Sequence, residues 1–224
     1  MAPVIGYWRP RGLLHPIRML LVHTGVDFED KVYPETSRDE WLKDKESLGL
    51  PMPNLPYYID GDCKLTQSLA IIRYLARKHG LAGTNEEELI RTDLVECQVQ
   101  DLRLALIKLG YHEYSEEARE KYLKETLANH LKLLSGYLGD HPWVAGNKMT
   151  YVDFLLHDTL DWHLFLDPTC LDGYQNLKDF LARFESQPNI KAFMESEKFL
   201  KWPIFGPMSK WGYDDAGSKL RFPD

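Results

Sequence analysis

Several residues in this chain have the types and spacing to hold a small anionic ligand. Arg38, Trp41 and Lys45 lie at i, i+3 and i+7, so a helix presents them on one face. Two cations beside an indole N–H suit a carboxylate. Gln67 and Ser68 begin another predicted helix. Its free N–H groups and positive dipole end suit a second carboxylate, with the Ser68 hydroxyl as an added donor. Tyr7 closes the first predicted strand, just before a loop into a helix. Asp101 sits inside the apolar helical stripe Ile90, Leu94, Cys97, Leu104, and a carboxylate there should be paired. The eight His residues show no metal spacing such as HExxH, so no metal site is expected. Cys63, Cys97 and Cys170 are too few and too widely spaced for a disulfide framework or a zinc site. A reducing, cytoplasmic setting follows as the simplest expectation.

These residues must be positioned by two differently built halves. Pro3–Trp8 and Phe28–Tyr33 read as strands, and Leu13–Thr24 and Arg38–Lys45 as helices. Tyr57–Asp60 and Cys63–Leu65 flank Gly61-Asp62, a hairpin signal. The helix Gln67–His79 ends at Gly80. The order β-α-β-α-β-β-α predicts a mixed sheet with helices on its faces. From Gly83 the pattern is helix only. Thr84 with Glu87 resembles a capping box opening a helix to about Leu109. A second long helix is expected over Ser115–Leu138, with Leu127, Leu131, Leu134 and Leu138 at helical spacing. Thr150 with Asp153 caps a helix over Tyr151–Phe165, a structural feature worth about 1 kcal/mol. Shorter helices follow at Asn176–Glu185 and Ile190–Glu195. The expected division is 1–82 and 83–212, with 213–224 as a flexible tail.

The bulk numbers agree with a globular chain of 224 residues, 44% hydrophobic and 27% charged. No apolar run approaches the length of a membrane span. The net charge is −7, and no basic face or stripe is present, so neither a membrane nor a nucleic acid is an expected partner. Residues 1–82 are near neutral and the acidic excess lies beyond them, where it reads as a solvated helical surface.

Read together, several phrases resemble the mu-class cytosolic glutathione transferases: Gly6-Tyr7-Trp8, Arg11-Gly12-Leu13, Pro16-Ile17-Arg18, Pro53-Asn54-Leu55-Pro56-Tyr57, Thr66-Gln67-Ser68, and Ala145-Gly146-Asn147-Lys148 with Asp153. Their order and spacing extend the resemblance from residue 1 to about 212. It implies an α/β plus all-α fold, in which a thioredoxin-like N-terminal domain is followed by an all-helical C-terminal domain. It implies a homodimer, with glutathione as co-substrate and no separate cofactor. Tyr7 is then the catalytic residue, donating a hydrogen bond to the glutathione sulfur. Trp8, Leu13, Arg38, Trp41, Lys45, Asn54, Leu55, Gln67, Ser68 and Asp101 become the glutathione-binding set. The turn at a cis Leu55–Pro56 bond would leave the Leu55 N–H and C=O to pair with the cysteinyl backbone like an added strand. Asp101 would reach the glutathione of the neighbouring subunit. Pro10, Tyr111 and Phe205 become the electrophile pocket.

The chain departs from the mu pattern in three places. Arg9-Pro10 replaces a polar or acidic residue and an aliphatic one, the stretch from Tyr33 to Trp41 is several residues short, and Met52 stands where an aromatic plugs into the neighbouring subunit. Pro10 removes a donor and fixes φ at the pocket, which predicts an unusual substrate preference. The favoured function is conjugation of glutathione to hydrophobic electrophiles, with peroxidase or isomerase side activity. The alternative is a non-catalytic ligand-binding or crystallin-like protein. A Cys-dependent thiol oxidoreductase would want a reactive Cys at the first strand–helix turn, and Tyr7-Trp8 stands there instead.

Overall fold

The structure is a computed structural model and describes residues 2–35 and 38–213. Four short strands form one sheet in the order β2-β1-β3-β4. β1 is Val4–Trp8, β2 Glu29–Tyr33, β3 Tyr57–Asp60 and β4 Cys63–Thr66. β1 runs parallel to β2, with Tyr7 opposite Val32 and Trp8 opposite Tyr33. It runs antiparallel to β3, with Gly6 opposite Tyr57. The hairpin signal at Gly61-Asp62 is realised between β3 and β4, and Gly61 takes the positive φ of 57° that such a turn needs.

The two faces of the sheet are covered differently, because side chains alternate along each strand. On one face Ile5 and Tyr58 join α1 (His15–His23) and α3 (Ser68–Lys78) in the main core. On the other, Tyr33 and Tyr57 gather Trp41, Leu50 and Leu55 into a small aromatic core under α2 (Asp39–Ser47). Trp41 stacks on Tyr57 at 6.3 Å, and the Tyr33 hydroxyl donates to Asp44 at 2.8 Å. Thus the amphipathic helix that carries Trp41 and Lys45 is fixed to the sheet by rings and one buried hydroxyl.

The second half centres on α7 (Tyr151–Leu166), whose every residue is buried. It packs against α4 (Glu86–Lys108) and α1. Asp153 does more there than cap a helix. Its carboxylate accepts from the backbone N–H groups of Val144 and Thr150, at 2.9 and 2.7 Å, and it is fully buried. Losing it would strand two buried donors, each at about 1–3 kcal/mol, well above the value of a surface cap.

Several expected boundaries move, each for a local reason. The first helix begins at His15 rather than Leu13, because Gly12 has φ +44° and the Leu13 N–H is spent on the Tyr7 side chain. The capping box expected at Thr84 and Glu87 lies one residue on: Asn85 caps the Glu88 N–H, and the Glu88 carboxylate accepts from the Thr84 N–H and hydroxyl. The long helix over Ser115–Leu138 is broken into α5 (Glu116–Lys121), a π-helical stretch Tyr122–Leu127 and α6 (Ala128–Leu138). The π insertion rotates the upstream face, which brings Tyr122 inside to meet His163 at 2.8 Å. Another π-helical turn, Leu109–Glu113, follows α4 and carries Tyr111. α8 (Gln175–Glu185) and α9 (Pro188–Met194) lie close to their expected places. Tyr213, expected in the tail, is tied down: its carbonyl accepts from the Trp202 indole at 3.1 Å. The rest of that segment lies outside the described residues.

Candidate active site

Tyr7 stands at the C-terminal end of β1, where the chain turns into α1. Its hydroxyl oxygen accepts from the Leu13 N–H at 3.3 Å. Burial pushes the phenol's pKa up, while the Leu13 N–H pulls the other way. The net direction keeps Tyr7 protonated at neutral pH. With its oxygen already accepting a bond, the hydroxyl proton is left for a ligand. Gly12 makes the close approach possible: a Cβ there would lie 2.6 Å from both Cε1 and the hydroxyl of Tyr7, and its φ is left-handed. Gly12→Ala is therefore expected to push the phenol out of line. A loss of at least tenfold in kcat/KM, with circular dichroism unchanged, is the expected outcome, on the order of a 1.4 kcal/mol misalignment.

A buried ionic cluster anchors this turn from behind. Arg11 donates to Asp158 at 2.7 Å and to Asp161 at 2.6 Å. Arg103 donates to the other oxygen of Asp158 at 2.8 Å and to the Gly12 carbonyl at 3.4 Å. The Arg103 guanidinium lies over the Trp162 ring, 4.0 Å from its centroid. Both arginines are almost wholly buried, and such charges persist only when paired and hydrogen-bonded. So α7 holds the Arg11 side chain and α4 the Gly12 carbonyl, fixing the turn from behind. Sequence reasoning quoted Arg11 only as part of a motif and missed Arg103, Asp158 and Asp161. The available signal was a pair of acids, Asp158 and Asp161, in the middle of a helix rich in apolar residues.

The expected carboxylate-binding residues fall into place unevenly. Leu55 is buried beside a cis Leu55–Pro56 bond, as expected. Its N–H, however, is not free: it donates to the Asn54 Oδ1 at 2.9 Å. Asn54 must turn aside for a ligand backbone to pair there. Gln67 precedes α3 with φ +70° and Ser68 opens that helix. A non-glycine residue held at positive φ is backbone strain of the kind that gathers at ligand clamps, and no sequence signal announced it. Arg38 caps the start of α2 and is exposed, Lys45 is half-buried one helical face along, and Trp41 is buried on the aromatic core. The face is thus split, with Trp41 turned inward and the two cations outward. Asp101 lies apart from these residues. The stripe Ile90, Leu94, Cys97, Asp101 and Leu104 is exposed, so Asp101 needs no partner within the chain. The buried face of α4 is instead Val95, Val99, Leu102 and Leu106.

A cavity of about 490 Å³ is lined in part by Tyr7. Trp8, Pro10, Leu13 and Arg38 line one side, and Tyr111, Trp162, Phe205 and Met208 another. The Tyr111 hydroxyl accepts from the Gly206 N–H at 2.9 Å. The π-helical turn leaves the Gly110 carbonyl free of the helix ladder, and it accepts from the Lys210 and Trp211 N–H groups. The C-terminal segment is strapped over the cavity by these bonds. Among the described residues no group of His, Cys, Asp and Glu could hold a metal ion, and no helix is long and apolar enough to cross a membrane.

A polarised phenol at a strand end, a strained helix start and an apolar cavity beneath a helical domain are the parts of a glutathione-using fold, and comparison agrees. Residues 3–77 match the family model for the glutathione S-transferase N-terminal domain, and residues 100–197 that for the C-terminal domain. The chain belongs to the glutathione S-transferases. Within them it resembles the mu enzymes most plainly. It is 51% identical over 216 residues to glutathione S-transferase Mu 1 of Rattus norvegicus, covering 94% of this chain and 99% of that one. It is 49% identical over 217 residues to the Mu 1 enzyme of Bos taurus, covering 95% and 99%. Among solved structures it superposes on the glutathione S-transferase Blo t 8 with a TM-score of 0.86 at 38% identity, covering 94% of this chain and all of that one. The Onchocerca volvulus Pi-class enzyme gives 0.84 at 32%, with the same coverage. The expected thioredoxin-like and helical architecture and the transferase activity on glutathione are borne out; the non-catalytic alternative finds no support among these relatives.

Proposed function

We propose that Tyr7 performs the conjugation by holding the glutathione sulfur as a thiolate, with a hydrophobic electrophile seated in the cavity beside it. One observation carries this reading: the phenol is sheltered, stays protonated, and has its oxygen occupied by the Leu13 N–H, so its proton points to a ligand. A free thiol titrates near 8.5, and lowering that by about two units needs about 2.7 kcal/mol. One hydrogen bond to a charged acceptor supplies about 1.5–3 kcal/mol, so no general base is required. The cavity then contributes proximity, and its largely apolar walls favour a broad range of hydrophobic electrophiles.

In this reading residues 1–82 form the glutathione-binding domain, and 83–212 supply much of the electrophile pocket. Gln67 and Ser68 take the γ-glutamyl carboxylate, Arg38 and Lys45 the glycyl carboxylate, and Leu55 the cysteinyl backbone once Asn54 has moved. Trp41 keeps α2 in place from its aromatic core. The exposed apolar stripe on α4, with Met52 nearby in sequence to the hairpin, serves a homodimer in which Asp101 reaches the partner's glutathione. Cys63, Cys97 and Cys170 form no disulfide, in accord with a cytoplasmic setting. The test uses the tryptophan fluorescence of the protein, since Trp8 lies at the site. Reduced glutathione should quench or shift it with saturation, and an analogue lacking the γ-glutamyl carboxylate should bind at least tenfold more weakly, the loss of one charge-assisted contact. Equal binding of the two would remove Gln67 and Ser68 from the site.

A further inference from the structure

We infer that Glu35 determines electrophile specificity, selecting substrates that carry a neutral hydrogen-bond donor such as a hydroxyl away from the reacting carbon. The inference rests on the transferase reading above and names the substrate class for the same cavity. Glu35 lines that cavity, and its side chain is only 8% exposed. It is therefore a carboxylate set into a mainly apolar wall, where an unfilled acceptor is costly.

The chain reaches it from the end of β2. β1 and β2 pair from Val4 and Glu29 to Trp8 and Tyr33, and the Arg9 N–H continues the ladder to the Tyr33 carbonyl at 3.1 Å. Glu35 lies two residues beyond the end of β2, and both it and Pro10 line the cavity. Proline has no N–H to offer, so the Pro10 backbone cannot satisfy the acid. Among the described residues both polar contacts of Glu35 use Oε1: the Tyr213 hydroxyl donates at 3.3 Å, and the Arg9 guanidinium lies at 3.9 Å. The first is long for an O–H bond to a carboxylate and the second is a loose contact from a side chain 63% exposed. Oε2 is the acceptor available to a ligand.

The neighbouring charges select the kind of donor. Arg9 stands at the rim beside Glu35, and Arg38 lines the same cavity. With Arg38 committed to the glycyl carboxylate of glutathione, Arg9 still offsets the Glu35 charge, so a cationic substrate gains little there, whereas a hydroxyl or amide N–H meets no opposition. A pocket built to accept from a substrate hydroxyl discriminates strongly against the analogue lacking it, because the buried acceptor is then stranded.

The test compares trans-4-phenyl-3-buten-2-one with its ring 3-hydroxyl and 3-methoxyl derivatives, using the full chain. In each case the thiolate adds to the β-carbon, forming the C–S bond, and the α-carbon takes a proton from water. The two substituents are of similar polarity, but only the hydroxyl donates. The wild-type protein should favour the hydroxyl ketone over the methoxyl ketone by about tenfold in kcat/KM, the worth of one such bond. In Glu35→Leu that ratio should fall to near one, with Glu35→Gln between the two. Equal kcat/KM for the two derivatives in the wild type would overturn the inference even without a variant, as would an unchanged ratio in Glu35→Leu. Conversion of the unsubstituted ketone reports on the transferase reading separately. If the wild type converts none of the three, that reading falls and this inference falls with it.

Discussion

Replacing Tyr7 with Phe is expected to lower kcat/KM for conjugation about 25-fold at pH 7, approaching about 100-fold in more acid solution, and to move the pH–rate profile to higher pH, the size set by about two units of thiol pKa. In the proposed mechanism the phenol stabilises one protonation state of the bound sulfur, so its loss would change how much thiolate exists and not how glutathione is held. The sign follows directly. With Tyr7 the bound thiol ionises below its free value, and the rate climbs early with pH. In Tyr7→Phe the ionisation returns towards about 8.5, and the ascending limb moves up with it. Above that pH the two proteins should converge, while the glutathione KM changes little. A variant equally impaired at every pH would mean that Tyr7 acts by positioning alone. The phenol itself does not ionise in this range, since burial holds its pKa above its ordinary value.

The largest expected effect on stability is at Asp158. Its two oxygens are shared by Arg11 and Arg103 at 2.7 and 2.8 Å, in a site where all three side chains are buried. Asp158→Ala leaves Arg103 without its carboxylate and Arg11 with Asp161 alone. Breaking a buried pair from one side costs about 3–5 kcal/mol, and urea unfolding should show a fall in unfolding free energy of that size. The exposed pair Lys178 and Asp172, at 2.7 Å, provides the contrast: Lys178→Ala should stay within about 0.5 kcal/mol. Because Arg103 also donates to the Gly12 carbonyl, the folded fraction of Asp158→Ala should lose activity as well. If stability were unchanged, the cluster would contribute nothing net and the turn at Gly12 would be held by its own backbone.

How far the chain could be read without its structure depended on the range of each interaction. Strands, hairpin and most helices were legible, because hydrophobic period and turn residues such as Gly61, Gly25 and Gly80 act locally. The π-helical stretches at Tyr111 and Tyr122 were not, since an inserted residue leaves the Leu127, Leu131, Leu134 and Leu138 spacing intact downstream. The placement of Tyr7 in the first strand and of Gln67 and Ser68 at a helix start was legible, because a motif sets each on one element. What each group meets in three dimensions was not legible, even for a neighbour in sequence. Leu55 offers its N–H in sequence but gives it to Asn54. Asp101 lies in an apolar stripe that turned out to be a surface rather than a core. Arg103 and Glu35 gave no signal, because their roles depend on α4 meeting Gly12 and on β2 running beside β1. The short stretch after Tyr33 and the proline at position 10 were each noticed as departures. Only the structure shows that Pro10 and Glu35 line one cavity.

The most direct test of the central claim is the ultraviolet thiolate absorbance of bound glutathione, followed against pH in the wild-type protein. The account predicts an apparent pKa about two units below the free-thiol value of about 8.5. Saturating glutathione that ionises at its free value while bound would contradict it, because Tyr7 would then hold the sulfur without stabilising the thiolate.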